Sequence, residues 1–425
     1  MESGIVGIDI GATNIKGALG LTDQKREYID IIAVTILPSI GLQDGTIIYR
    51  DKLLQAIKHA IERLKKHAQC NIEQVIISIS SRHFYTLDVS STVKVLEGRV
   101  THKDVLAVVS ACHQDAEKLQ ATQTGYHISH TLPQDFLLDH ELSQDAPWSK
   151  PALELGIQAL LLYGHRETLN QIWYLNPSLQ APILDVTCDL LAQAEGLINQ
   201  ENIPAYQSIL DIGSETTKIL ITKQGKPIFF YCRQQGGIHI TQEIQRQFKI
   251  ADFDEAEHIK LTYGRVYIDA DERNEERIPI HGDGPVRYVR QESLSRILER
   301  TITENLSALR VRLEEAGVAN LLNHGILLTG GTANIPRITD LANDILQAKV
   351  RLGRPQQKGV NDLVYKPQFS TVYGLVVYGL LNKHDQWFSS WQRKLKEIPM
   401  PTRYQSKQKT LSMASLSALW NRNSE

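Results

Sequence analysis

The chain uses cysteine sparingly. Four cysteines (Cys70, Cys112, Cys188 and Cys232) are scattered over 425 residues, with no Cys-x-x-Cys pair and no Cys/His ligand spacing. This argues against a disulfide framework or a structural zinc site and fits a reducing compartment. Long apolar runs are missing too: none approaches the ~18 residues of a membrane-spanning helix. Neither sign of charge is in excess, since 46 Lys and Arg stand against 48 Asp and Glu for a net charge of −2. Without a basic field, nucleic acid is not an expected partner. No secretory leader is read ahead of the first strand-like run at Gly7, so a cytoplasmic location is expected. What is left is an ordinary soluble composition, 22 % charged and 42 % hydrophobic. The chain is long enough for two or three cored domains.

Against this plain background one pattern occurs twice. Gly7-Ile8-Asp9-Ile10-Gly11-Ala12-Thr13 opens the first half, and Ile209-Leu210-Asp211-Ile212-Gly213-Ser214-Glu215-Thr216-Thr217 opens the second. Apolar β-formers lead into Asp-Ile-Gly, and a second apolar run follows (Ile15 to Leu19; Ile219 to Thr222). Each reads as a β-hairpin whose turn needs glycine for close approach of the backbone. Turn N–H groups can cradle phosphate, and an aspartate ahead of the turn suits a hydrated Mg²⁺. Two such turns, each beginning an αβ half, point to a duplicated fold clamping a nucleotide between its halves. A third segment agrees: the buried run Gly325 to Thr329 ends in Gly330-Gly331-Thr332-Ala333. There Gly-Gly lets the backbone lie against a planar or phosphorylated ligand, and Asn334 to Ile338 begins a helix with Pro336 in its first turn.

Between these turns, apolar spacing at Leu53, Leu54, Ile57, Ile61 and Leu64 predicts a helix over 52–66, followed by a strand over 75–80. An α+β insertion comes next: a strand over 89–95, a helix over 103–119 capped by Thr101, and strands over 126–139 and 156–163. The first half closes with a helical 166–175, a strand over 182–186 and a helix over 189–198. In the second half, helices are expected at 241–248 and 291–316, with a polar stretch over 269–276, and 370–381 reads as a closing helix.

The three turns in this order resemble the actin-like ATPase superfamily. The resemblance implies an α/β, ribonuclease H-like duplicated fold, with two domains around a nucleotide cleft. The insertion's place in the first half, with further short matches, sharpens it to the bacterial FtsA cell-division family. These matches are His130-Thr131-Leu132-Pro133-Gln134-Asp135-Phe136, Gly236 to Thr241 followed by Ala256 to Lys260, Arg290, Leu294, Ile297, Arg300 and Glu304, and Tyr373-Gly374-Leu375. Implied subdomains are 1–81 with 166–198 and 369–382, the insertion 82–165, then 199–236 with 325–368, 237–324, and a tail over 383–425.

The family implies an ATP-binding protein that polymerises on the inner membrane, tethers the C-terminal peptide of tubulin-like FtsZ at the division site and recruits other divisome membrane proteins. By position, Asp9 and Asp211 would serve Mg²⁺ through water. Gly11, Ala12, Thr13, Lys16 and Gly213, Ser214, Glu215, Thr216, Thr217 would hold phosphates. Gly237, Glu257, Lys260, Gly330, Gly331 and Thr332 would surround the nucleoside. Glu257 and Lys260, one helical turn apart, face the same way; the plainer alternative is a surface ion pair worth little. Ser214 and Glu215 replace two glycines usual in the family, Lys218 stands where Asp is common, and Asn14 where Lys is. A carboxylate beside phosphates is unfavourable unless it points away or meets a metal. Thr187 is nearest the place of a water-orienting group, with Asp189 as helix cap or dipole partner. No catalytic residue is assigned, and weak or no hydrolysis is expected.

The tail breaks the even composition. Residues 383–425 hold eight Lys and Arg against three acids, and three of the five tryptophans. In 387–398, Trp387, Phe388, Trp391, Leu395 and Ile398 fall within about 100° of a helical wheel, the pattern of an interfacial helix. In 411–422, Met413, Leu416, Leu419 and Trp420 cover a wider arc, and the family's position for its membrane helix favours this stretch. A last helix packed on the body is the alternative for 387–398. Two rival functions share the opening turn or the insertion: a ROK-type sugar kinase, which needs a catalytic Asp in an Asn-Asp pair, and a PilM-like pilus assembly protein, which normally lacks such a tail.

Overall fold

Two five-stranded sheets share one plan. In the first half, β1 (Ser3–Ile10), β2 (Asn14–Thr22) and β3 (Ile29–Pro38) form an antiparallel meander. After a small hairpin, β4 (Leu42–Gln43) and β5 (Thr46–Ile47), helix α1 (Arg50–Ala68) leads to β6 (Asn71–Ile79), parallel to β1 on its free edge. An inserted subdomain follows, built from β7 (Phe84–Lys94), α2 (His102–Leu119), β8 (Tyr126–Leu138), β9 (Glu141–Leu142) and β10 (Glu154–His165). The chain then returns through α3 (Arg166–Trp173), β11 (Ile183–Cys188) and α4 (Asp189–Leu197). The first sheet has the order β11-β6-β1-β2-β3.

The second half repeats it. β12 (Tyr206–Ile212), β13 (Thr217–Lys223) and β14 (Lys226–Arg233) form the meander. A helical subdomain holds α5 (Gly237–Phe248), α6 (Phe253–Tyr263), the hairpin β15 (Arg277–Ile280) with β16 (Arg287–Arg290), and α7 (Gln291–Glu315). β17 (Ile326–Thr329), α8 (Ile338–Leu346) and β18 (Val350–Leu352) complete the order β14-β13-β12-β17-β18. The last helix, α9 (Ser370–Leu381), crosses back onto the first sheet. The structure, a computed structural model, describes residues 3–22, 29–43, 45–68, 70–119, 124–143, 146–198, 203–266, 277–281, 285–355 and 364–381. The polar stretch 269–276, residues 399–408, whose composition reads as a linker, and both tail segments lie outside the described residues.

The central strands are apolar on both faces because helices cover both. Ile5, Val6 and Ile8 of β1 and Val75, Ile76 and Ile77 of β6 are all fully buried. On one side, α1 lays down Leu53, Ala56, Ile57, Ala60, Ile61 and Leu64, spaced three and four apart. On the other, α9 buries Val372, Tyr373, Leu375, Val376 and Val377. Gly374 makes that approach possible: a Cβ there would run into the Ala192 carbonyl of α4, an overpacking clash that typically costs about 1–3 kcal/mol or more.

The inserted subdomain shows what its Leu-Pro-Gln run is for. Its sheet order is β7-β10-β8-β9, with α2 packed against it. The helix starts at a reciprocal cap, Asp104 accepting from the Thr101 N–H at 2.8 Å. On β8, Asp135 pairs with Gln158 and Pro133 with Ala159, so Gln134 is an extra residue without a partner on β10. This bulge absorbs a proline inside a central strand. It also turns the Gln134 amide outward to donate to the Pro227 carbonyl at 2.7 Å, while the Lys226 ammonium donates to the Gln134 carbonyl. Insertion and second sheet are thereby clasped together. One expected detail fails. Pro336 is not in a helical first turn, because Arg337 adopts a left-handed φ of 64° and α8 begins only at Ile338.

Candidate functional site

Both Asp-Ile-Gly turns sit at the ends of central strands, where the two sheets face each other. In the first, the Gly11 N–H donates to the Asn14 carbonyl at 3.1 Å, and the Ser39 hydroxyl donates to the Gly11 carbonyl at 2.5 Å. Ala12 and Thr13 form the tip. In the second, the Gly213 N–H donates to the Thr216 carbonyl at 2.9 Å. The Gly213 carbonyl accepts from the Gly237 N–H at 2.9 Å and from the Thr332 hydroxyl at 3.1 Å. The second turn therefore rests on the start of α5 and on the third glycine turn. Gly330, at φ +91°, is required there, since a Cβ would strike the Ile212 carbonyl. Gly331 is different: its φ of −65° and ψ of −37° suit any residue, and a Cβ there would meet nothing within 4 Å.

Hairpin register repeats an electrostatic pair. Asp9 lies opposite Lys16 and Asp211 opposite Lys218. The Lys16 ammonium is 3.2 Å from Asp9 Oδ2, and Lys218 is 3.4 Å from Asp211 Oδ1. Lys218 also reaches across the cleft to Asp189 Oδ2 at 2.5 Å. Burial alone would lower the Lys218 pKa, but Asp189 and Asp211 more than reverse this and hold it well above the ordinary lysine value. Among the described residues, every acid on the cleft wall has a cation within 3.4 Å: Glu215 has Arg82 at 2.5 Å and Glu257 has Lys260 at 2.6 Å.

The aspartates are engaged by protein groups. Asp9 Oδ1 accepts from the Ser78 hydroxyl at 2.9 Å. Asp211 Oδ2 accepts from the Gln193 amide and, at 3.4 Å, from the Thr329 hydroxyl. Asp189 Oδ1 accepts from the Leu190 N–H at 2.8 Å and from the Ser81 N–H at 3.0 Å, which makes it the dipole partner at the start of α4. No cluster of three or more His, Cys, Asp or Glu arranged for a metal occurs among the described residues. The Mg²⁺ expected at Asp9 and Asp211 does not fit this donor set, in which the one buried carboxylate oxygen without a hydrogen bond, Asp211 Oδ1, faces an ammonium.

Glu257 and Lys260 are not a surface pair. Lys260 is only 7 % exposed and also donates to the Gly237 carbonyl at 3.0 Å and the Thr241 hydroxyl at 2.9 Å, bracing α5 against α6. Burial lowers its pKa, an effect that Glu257 partly offsets.

One cavity of about 680 Å³ collects these groups. Asp9, Gly11, Ala12, Thr13, Lys16, Asp211, Gly213, Ser214, Glu215, Thr216, Gly237, Glu257, Lys260, Gly330, Gly331 and Thr332 all line it. Thr217 does not: it is buried, its hydroxyl donating to the Gln235 carbonyl and accepting from Asn305, both at 2.7 Å. Thr187 is buried away from the wall. Trp387, Phe388, Trp391, Leu395, Leu416, Leu419 and Trp420 lie outside the described residues. Sequence reading passed over Arg82 and Gln193. Arg82 directly follows the first sheet's second parallel strand, where α/β folds place ligand groups. Gln193 is the polar exception in the run Leu190-Leu191-Ala192-Gln193-Ala194.

The halves meet through Ser214 and Glu215 of the second turn. Thr13 donates to the Ser214 hydroxyl at 2.6 Å. Arg82 binds Glu215 and, at 3.2 Å, Gln234. The Glu215 carboxylate thus neither points away nor waits for a metal; it takes an arginine from the opposite half.

Solved structures with this architecture place the fold. PilM in a PilM–PilN type IV pilus biogenesis complex is 18 % identical with a TM-score of 0.64, covering 88 % of this chain and 98 % of that one. MreB5 of Spiroplasma citri, solved bound to ADP, is 16 % identical with a TM-score of 0.53, covering 90 % and 99 %. The fold is that of the actin-like proteins. The family described as cell division protein FtsA matches residues 208–374. Cell division protein FtsA of Pseudomonas aeruginosa is 26 % identical over 383 residues, 90 % of each chain. That of Bacillus subtilis is 24 % identical over 384 residues, 90 % of this chain and 84 % of its own. Along about nine-tenths of its length the chain is similar to FtsA cell-division proteins.

Proposed function

We propose that the chain is an ATP-binding, filament-forming scaffold of the division machinery that tethers FtsZ to the cytoplasmic face of the inner membrane at the division site. The observation that carries the nucleotide part is the single cavity lined by both Asp-Ile-Gly turns and the Gly330-Gly331 turn. Its volume is in the range of small-ligand sites, roughly 300–1,000 Å³. Similarity to the FtsA proteins, two of which match along about nine-tenths of this chain, supports FtsZ and other divisome proteins as partners. The helical subdomain over 237–324 is the expected partner surface. The ADP bound in the MreB5 structure supports an adenine nucleotide as the ligand.

Chemistry in the cleft favours holding over turning over. Both carboxylates that the first half presents to the cleft are committed, Asp189 to Lys218, Ser81 and Leu190 and Asp9 to Lys16 and Ser78. A sugar kinase needs such a group ready to accept a hydroxyl proton. A pilus-type role keeps its claim through the PilM likeness, which shows the fold alone.

Two measurements test the reading. Titration of the full chain with a fluorescent ATP analogue is expected to saturate and to be reversed by ATP, and absence of binding removes it. Flotation with anionic vesicles is expected to carry the full chain, because the aromatic and basic residues of the tail supply both apolar and charge attraction. Paired variants, Trp387→Ser with Trp391→Ser and Leu416→Ser with Leu419→Ser, locate the helix. Flotation unaffected by either pair removes the tether.

A further inference from the structure

We propose that the Lys218 ammonium occupies the electrostatic role of a divalent cation, so that this cleft binds nucleotide phosphates without Mg²⁺. The inference rests on the nucleotide reading above.

Lys218 enters from the middle of the second sheet. Strand pairing sets it directly opposite Asp211, and its ammonium lies 3.4 Å from Asp211 and 2.5 Å from Asp189 of the other half. It is 5 % exposed and still lines the cavity. Two buried carboxylates converging on one point are what a bound cation needs, and here the point already holds a covalently attached one. A divalent ion placed beside it would face an ammonium a few ångströms away, a repulsion made larger by burial. It would also have to recruit oxygens already taken. Asp211 Oδ2 is held by Gln193 and Thr329, and Asp9 by Ser78 and Lys16. Mg²⁺ demands near-octahedral oxygen ligation and gives up water reluctantly, and neither aspartate offers it a vacant oxygen free of a facing ammonium.

Lys16 stands in the same register in the first hairpin, so each phosphate-side turn has a lysine beneath it in place of a metal. Lysine ammonium groups bind phosphate as point charges. Balanced pairing on the cleft wall keeps the cavity near neutrality without an added ion.

The test is nucleotide binding by the full wild-type chain, titrated with ATP once with excess MgCl₂ and once with EDTA. The dissociation constants are expected to agree within about threefold, and MgCl₂ alone is expected to leave the melting temperature unchanged. Binding that weakens by about tenfold or more in EDTA overturns the inference while leaving the nucleotide reading intact. No binding under either condition overturns the nucleotide reading and this inference with it. A second arm uses Lys218→Met, which leaves Asp189 and Asp211 without their cation. It is expected to acquire stabilisation by MgCl₂ alone and tighter ATP binding with MgCl₂ than with EDTA. A folded variant indifferent to magnesium overturns the assignment to Lys218. The wild-type comparison decides the question if that variant does not fold.

Discussion

The guanidinium of Arg82 lies 2.5 Å from the carboxylate of Glu215, joining the turn after the first half's β6 to the second half's Asp-Ile-Gly turn. Both side chains are mostly shielded, at 14 % and 17 % exposure. A triphosphate entering the cavity would meet this carboxylate and compete for the arginine. Glu215→Gly removes the competitor and leaves Arg82 to pair with phosphate. ATP affinity is expected to rise about tenfold, equivalent to about 1.4 kcal/mol, more for the triphosphate than for the diphosphate. Calorimetric titration with both nucleotides checks it, and unchanged or weaker ATP binding contradicts it.

Gly331 permits a test of occupancy that spares the fold. It has an ordinary right-handed helical conformation and open space where a Cβ would stand, at the cavity wall. Gly331→Leu is expected to weaken nucleotide binding by about tenfold or more, with a melting temperature within about 4 °C of wild type. An unaltered affinity would place the nucleotide elsewhere. The neighbouring Gly330 cannot serve, since its positive φ would be strained by any side chain.

Local features were legible in the sequence, and distant ones were not. Asp9 and Asp211 announce their hairpins through flanking β-formers and a glycine, all within a few residues. Helix α1 is readable from its apolar spacing, and α9, an almost continuous apolar run, spans the residues expected. Arg82 and Gln193 could not be read this way: Arg82 meets a residue 133 positions away, and Gln193 meets Thr371, 178 positions away. Thr217 illustrates a different limit. It shares the hydroxyl chemistry of Thr216, but it opens β13 with its side chain buried, whereas Thr216, in the turn before it, reaches the cavity. Pro336 carries a true helix-start signal, overridden by the left-handed Arg337 that follows it.

The Gln134 clasp should be measurable as a loosening between the insertion and the second sheet. Gln134→Ala removes the amide that donates to Pro227 and leaves the Lys226 contact to the backbone. The expected cost is about 1 kcal/mol. Amide exchange is expected to accelerate in β8 and β14 while the strands around Asp9 stay protected. Uniform exchange rates throughout would mean that the bulge does not couple the two parts.

Acid should loosen the insertion before the rest of the molecule. His113, His127 and His130 are held there with lowered pKa values, chiefly by burial, the first two at about 4. Between that value and the ordinary 6.5, the unfolded chain binds protons that the folded insertion refuses. Their contribution is therefore complete above about pH 6.5 and is lost as pH falls toward 4, by up to about 3 kcal/mol for each of the first two. Glu195 in α4 works in the opposite sense. Burial raises its pKa to about 7, so the folded state holds a proton more firmly and gains stability as pH falls from 7 toward the ordinary carboxyl value. A global melting curve blends the two, but Trp148 packs in the insertion's own core, 4.3 Å from the His102 ring, and reports on that part. With the other four tryptophans replaced by phenylalanine, its emission is expected to show unfolding at lower temperature at pH 5 than at pH 7, and His113→Gln with His127→Gln to flatten the difference. A flat wild-type profile over that range would show that the histidines are solvated in the folded state.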